Sequence, residues 1–378
     1  MSADAAVTTP PAPSRRRRMR KVLEWLIGIA ILLVVLNLLG VDVRGWFQQL
    51  WDEIRDMPKG YLLAACTAQF GQTFFAGLSY YGILKYAYPG EVTLWPIVAS
   101  YAVGVALNGF LPANLGTLVT LMMFIAIIPS CTFAGALGAY VVQKIFFTII
   151  GTFTYLYMFL SVPGAFDISF GNLTAHPGLV LGIILSGILL VYFLVRVFWA
   201  RIKAKVKSAW AQAKDGGAIL AEPKVYLRNS FLPSFLSWVC KLLVIGIFLA
   251  AFAIPVTFES VIWVSGSGSL ANMVSVTPGA VGVTQATNAL ALATCCDVPQ
   301  QQAVDYSTAQ QLLMTAWNQL VALILVVVVF GWTGGKQLVG QSYGEAKVKS
   351  AEMKAERDRK KAEKKEAKRV ERERETKP

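Results

Sequence analysis

Apolar runs of about twenty residues recur along this chain, long enough for a helix to cross a bilayer. Composition agrees: 55% of residues are hydrophobic and only 15% charged, against roughly 25% charged in soluble domains. The spans are predicted at about 22–41, 61–84, 132–160, 178–200, 232–255 and 308–332. Two further apolar stretches, 93–129 and 258–294, are interrupted in the same way. The first holds Leu111-Pro112-Ala113-Asn114-Leu115-Gly116, the second Thr277-Pro278-Gly279-Ala280-Val281-Gly282. Both read Pro-x-x-x-Gly, which removes a backbone donor and then permits a tight turn. Broken backbone at membrane depth survives only where protein or a water-filled cavity satisfies it. A matched pair of such breaks in two halves of a chain points to a substrate site.

The charges set the topology. The net +13 is segregated into both ends and one internal loop, so it gives no support to nucleic-acid binding. Residues 1–20 form a disordered arm ending in Arg15-Arg16-Arg17-Arg18-Met19-Arg20, expected to stay cytoplasmic. The first apolar run reads as a retained anchor, not a cleaved signal. Residues 46–57 mix Trp46, Phe47 and Trp51 with acids and Arg55, and are expected to lie on the outer interface. The loop 161–177 lacks Lys and Arg and should be external, whereas Arg201, Lys203, Lys205, Lys207, Lys214, Lys224 and Arg228 mark a cytoplasmic loop. With both termini inside, 93–129 must enter and leave on the cytoplasmic side and 258–294 on the outer side. Each is then a re-entrant or two-span hairpin, and three spans between them invert their orientation. The expected fold is all-α and polytopic, with about six full spans and two broken hairpins in an inverted-topology repeat. Trp95 and Trp263, each ahead of a break, are in similar places. A bundle with two ordinary kinked helices is the alternative. Domains are expected at 1–20 (arm), 21–335 (transmembrane) and 336–378 (charged cytoplasmic helical tail).

Two lysines carry the chemistry. Lys144 lies near the middle of the third span beside Gln143, and Lys241 near the middle of the fifth beside Cys240. An ionisable group at that depth costs roughly 3 kcal/mol or more and needs an interior partner. The spans hold no deep Asp or Glu, and Glu91 and Glu259 stand only at the hairpin entrances. Either a bound anion such as a lipid phosphate fills the deficit, or the lysines snorkel or pair with backbone carbonyls. Helix starts after Pro112 and Pro278 would also favour anions. Around the breaks gather Gln69, Gln72, Asn108, Thr284, Asn288 and Asn272, with Gln310, Gln311, Asn318 and Gln319 on the sixth span. These line a site or join helices by hydrogen bonds. Gly266 and Gly268 lie in a Ser/Gly run that lets helices approach closely. No P-loop is present. The single histidine, His176, sits in the external loop and offers no metal or triad site; Asn172-Leu173-Thr174 is a weak sequon. Neither a metal nor another cofactor is expected. The five cysteines lack CxxC spacing and read mostly as small apolar fillers. In the tail, alternating Lys, Arg and Glu suit a solvated helix, or one drawn to anionic lipid.

The breaks also carry a resemblance. Thr277-Pro278-Gly279-Ala280-Val281-Gly282-Val283-Thr284-Gln285-Ala286 resembles the Pro-Gly-Gly-x-Gly-x-x-Glu-Ala signature of the lysylphosphatidylglycerol synthase transmembrane region, or flippase-like integral membrane proteins. Leu111-Pro112-Ala113-Asn114-Leu115-Gly116-Thr117 resembles that family's Leu-Pro-x-Arg-x-Gly-Glu. The resemblance covers about 20–335 and implies a bacterial inner-membrane protein that moves or presents anionic or glycosylated lipids. Asn114 stands at the family's Arg, Thr117 at its Glu and Gln285 at its second Glu, so three charges are replaced by neutral polar groups. A soluble aminoacyl-transfer domain is not expected within these residues, so synthase activity is not expected either. The reading is a non-enzymatic flippase or transporter of an anionic lipid or a polyprenyl-phosphate-linked glycan. The expected substrate residues are Pro112, Asn114, Gly116, Thr117, Lys144, Lys241, Pro278, Gly279, Gly282 and Gln285. Lys144 and Lys241 would attract the phosphate, and Asn114 and Gln285 would bond the headgroup. Its partners would be membrane lipids. The alternative is a non-transporting scaffold for a cell-envelope enzyme, using the basic tail.

Overall fold

The computed structural model describes residues 57–109, 111, 115–161, 217–274 and 277–375, with isolated residues before them. The chain divides into two units, 1–57 and 58–378, and every helix from Lys59 onward belongs to the second. The arm, the first and fourth spans, the interfacial stretch, His176, the sequon and most of the basic loop lie outside the described residues, as do Pro112 and Asn114. The described residues form α1 (Lys59–Ala87), α2 (Leu94–Asn108), α3 (Leu115–Ile127), α4 (Phe133–Ser161), α5 (Pro223–Ala251), α6 (Phe258–Val274), α7 (Val283–Cys296), α8 (Gln300–Phe330) and α9 (Trp332–Glu375). Of these, α4, α5 and α8 are long and apolar enough to cross a membrane, and α2 and α3 are shorter apolar helices. Two boundaries differ from expectation. α8 starts at Gln300, straight after Pro299, so its polar first turns extend the predicted 308–332 span. α9 starts at Trp332, after Gly331 turns the chain at φ 72°, well before the charges begin to dominate.

The seam between α1 and α5 organises the bundle. Ser234 donates to Ser79 Oγ at 3.0 Å, Ser230 lies 3.1 Å from the same hydroxyl, and Ser237 donates to the Gln72 carbonyl at 2.9 Å. Gly71 faces Cys240, and Gly82 lies directly against the Asn229 backbone. Partner numbers fall on α5 as they rise on α1, so the two helices are antiparallel. Small residues recurring every three or four positions let the backbones approach, and in lipid such packing and hydrogen bonding hold helices together.

Each broken hairpin closes at its base. Glu91, ahead of α2, accepts from the Ser130 amide at 3.0 Å and its hydroxyl at 2.7 Å, just after α3. Gln302, after α7, donates to the Phe252 carbonyl, ahead of α6, at 2.8 Å. The first hairpin therefore leaves the α1–α5 pair at the C-terminal end of α1. The second leaves it at the C-terminal end of α5, the opposite end. α2 packs on α8, and α6 packs on α4. An apolar core joins α1 to α4 around Tyr80 and Phe124, whose rings are 5.4 Å apart. A second core joins α2, α3, α8 and the start of α9, where Ala346 is fully buried.

Two sequence expectations need adjustment. Cys66, Cys131 and Cys240 are free, as fillers should be, but Cys295 and Cys296 are joined to each other at the end of α7. Trp95 and Trp263 are not equivalent: Trp95 is half exposed beside Phe74, whereas Trp263 is buried and donates to Ser161 Oγ at 3.3 Å.

Candidate functional site

The two breaks converge. A side chain added at Gly279 would meet the Gly109 carbonyl at 2.6 Å, and one at Gly109 would meet Thr315 at 2.9 Å. The backbone before the first break thus touches the second break directly, over α8. Beside this crossing is a cavity of about 360 Å³ with walls from α1, α2, α5, α6, α7 and α8. Amides dominate its polar lining: Gln69, Gln72, Asn108, Asn288, Gln310 and Asn318, with Gln311 at the crossing. All were legible as polar positions inside apolar runs. Among the described residues lining it, Lys241 is the one ionisable group.

Lys241 stands on α5 and reaches α6, where Nζ is 3.3 Å from the Ser265 carbonyl and 3.4 Å from Ser269 Oγ. Both partners are neutral, so the cavity retains a positive charge that a bound anion could meet. The walls are tied by neutral hydrogen bonds. Gln69 donates to Asn318 at 3.0 Å, Ser267 to Asn288 at 2.6 Å, and Asn288 to Ser307 at 2.8 Å. Among the described residues, the buried acceptor Asn108 Oδ1 meets no hydrogen-bond donor.

The second break is held open from within. Pro278, Gly279 and Ala280 form a single 3-10 turn, with Gly279 at φ 62° and Gly282 at φ 84°. Gln285 Oε1 accepts from the Gly282 amide at 2.7 Å, so the N3 side chain reaches back to the N-cap backbone at the start of α7. Its amide nitrogen donates to Gln311 at 2.7 Å, and Gln311 donates on to the Gly279 carbonyl. Gln285 therefore shapes the break, with both ends of its amide engaged by protein. At the first break, Gly116 packs against Gly104 and Asn108, where a Cβ has no room. Thr117 accepts from Asn108 at 3.3 Å.

Lys144 does not join Lys241 in this cavity. The inward face of α4 carries Gly135, Ala136, Ala139, Val142, Gln143 and Phe146, and a residue one step from Gln143 turns about 100° away. Lys144 is exposed, its ammonium 5.2 Å from the ring centroids of both Tyr140 and Phe147. Sequence reasoning missed Ser307 and Thr315, although with Gln311 and Asn318 they recur every three or four residues, the period of one face of α8. It also missed Asp305, which is buried inside α8 with Gln301 donating to both carboxylate oxygens at 3.0 Å. The helix begins earlier than its apolar run, so this acid enters the bundle.

Residues 25–323 match the family described as lysylphosphatidylglycerol synthase TM region. The chain belongs to this family. No curated protein and no solved structure matches it. Together with the long apolar helices, membership makes this a membrane protein. The family match takes in α1 to α7 and most of α8, and stops before α9. At Thr117 and Gln285, where this member of the lysylphosphatidylglycerol synthase TM region has neutral residues, both side chains bond within the protein.

Proposed function

We propose that the chain translocates an anionic, phosphate-bearing lipid across the bacterial cytoplasmic membrane without covalent chemistry. The lipid is either an anionic glycerophospholipid or a polyprenyl-phosphate-linked glycan. The observation that carries this reading is the cavity at the crossing of two broken hairpins, with Lys241 as its cation among neutral amides. A cation that bonds only neutral groups favours an anionic guest. The cavity is near the lower end of ligand-site volumes, so it suits a headgroup while the acyl chains stay in the bilayer.

The inverted arrangement supports alternating access. α1 and α5 are antiparallel, and the hairpins leave from opposite ends of the pair. Exchanging α1–α4 for α5–α8 turns the α2–α8 packing into α6–α4, and both packings occur. Broken helices meeting at the interface of inverted repeats are a recurrent transporter design. In this reading both termini are cytoplasmic, and Gly279 and Gly282 keep the second break open for the headgroup.

The test uses the full chain in liposomes carrying fluorescent phosphatidylglycerol or, in parallel, fluorescent phosphatidylcholine. The expected result is faster transfer of the anionic probe than in protein-free vesicles, abolished by Lys241→Met while the melting temperature holds. Equal rates in wild type and Lys241→Met would reject the role of the cavity.

A further inference from the structure

A second cleft of about 580 Å³ opens at the other end of the α1–α5 seam and shares no lining residue with the central cavity. Lys85 and Arg228 supply two cations, with Tyr81, Tyr86 and Asn229 beside them. Leu78, Leu232, Pro233 and Leu236 form the apolar wall, and Leu232 is half exposed. The cleft has a local cause. α5 widens into a π-turn over Leu227–Phe231, and its Asn229 backbone presses on Gly82. Such turns displace side chains from the regular helical face. Here the π-turn carries Arg228 and Asn229, opposite Lys85 of α1. The two helices that flank it are tied together by the Ser79, Ser230 and Ser234 hydroxyls. Lys85 is steered by Tyr81, whose ring centroid lies 5.2 Å from its ammonium. Glu222, which accepts from the Tyr86 hydroxyl at 2.8 Å, is not among the lining residues.

We propose that this cleft holds the phosphate of an anionic lipid from the leaflet on that side, with Lys85 and Arg228 as cations and the leucines against the first acyl carbons. Among the described residues the lining supplies two cations and no carboxylate, which calls for an anion. Leucines beside them call for an amphiphile and disfavour a free ion. Lys224 and Arg228 also mark this end as the cytoplasmic one, where anionic lipids attract basic residues. The site does not depend on the transport reading.

The full chain is reconstituted in nanodiscs of phosphatidylcholine with added phosphatidylglycerol, and retained lipids are read by native mass spectrometry. Phosphatidylglycerol adducts should persist in Lys241→Met, which removes the central cation. Adding Lys85→Gln and Arg228→Gln should weaken them about thirtyfold, the expected loss of two interfacial cation contacts. Either substitution alone should weaken them about fivefold, and Lys85→Arg with Arg228→Lys should retain them. Equal melting in pure phosphatidylcholine discs confirms that the variants fold, as the exposure of both side chains leads one to expect. Unchanged adducts in the triple variant, or their complete loss in Lys241→Met alone, would overturn the site. Displacement by inorganic phosphate alone would assign it to a free anion and overturn the lipid assignment. Lost translocation with adducts retained in Lys241→Met separates this site from the transport pathway.

Discussion

Glycines at the breaks are required for two different reasons, and single substitutions separate them. Gly116 is a close approach, with its Cβ position blocked by Gly104 and Asn108. Gly282 has open space around it but stands at φ 84°, a conformation that side chains disfavour. Gly279 combines both, at φ 62° and with an added Cβ only 2.6 Å from the Gly109 carbonyl. Gly282→Ala should therefore cost about 1–2 kcal/mol through backbone strain alone, and Gly279→Ala and Gly116→Val more, since overpacking adds roughly 1–3 kcal/mol. Gly151→Val on α4, where only Tyr155 comes near at 3.9 Å, is the control. Melting temperatures in detergent rank the four; equal losses would mean that local geometry at the breaks is immaterial. Gln285 gives a sharper contrast. Both Gln285→Glu and Gln285→Leu remove the donor to Gln311 Oε1, but Gln285→Glu keeps an acceptor for the Gly282 amide, whereas Gln285→Leu leaves that amide without its partner, a penalty of about 1–3 kcal/mol. The leucine variant should melt lower than the glutamate variant.

α9 is a more integrated element than its charge pattern suggests. Its first part packs on α3, with Ser342 and Ala346 buried and Lys349 placed 5.2 Å from the Phe133 ring centroid. Beyond Ser350 the helix is charged and mostly exposed where described. Truncation after Ser350 should thus leave melting and monodispersity close to wild type. Truncation after Phe330 should uncover the α3–α8 core and lower the melting temperature by several degrees. If the two truncations behave alike, the packing of Ser342 and Ala346 contributes nothing. The same pair of variants separates transport from scaffolding, because a scaffold that uses the basic tail fails already at the first cut.

For the whole molecule, the antiparallel α1–α5 pair predicts that the hairpin bases face opposite sides of the membrane. In a cysteine-free background, Glu91→Cys and Val256→Cys should react with impermeant maleimide from opposite faces of sealed vesicles; labelling of both from one face would remove the inverted arrangement. Much of this architecture is legible in the sequence. Apolar run length fixes where helices must lie, because lipid leaves the backbone no other partner. Pro-x-x-x-Gly marks both breaks for the same reason, and buried amides such as Gln69 and Asn318 stand out against the apolar runs around them. Which lysine enters the cavity is not legible, since Lys144 and Lys241 share a depth and differ only in the face each helix turns inward. Nor is the contact between Gly109 and Gly279, or the engagement of Gln285 by Gln311, because these join segments far apart in the chain. Pattern within one run specifies a helix and its breaks; which faces meet is decided by packing between runs, where small residues let the backbones touch.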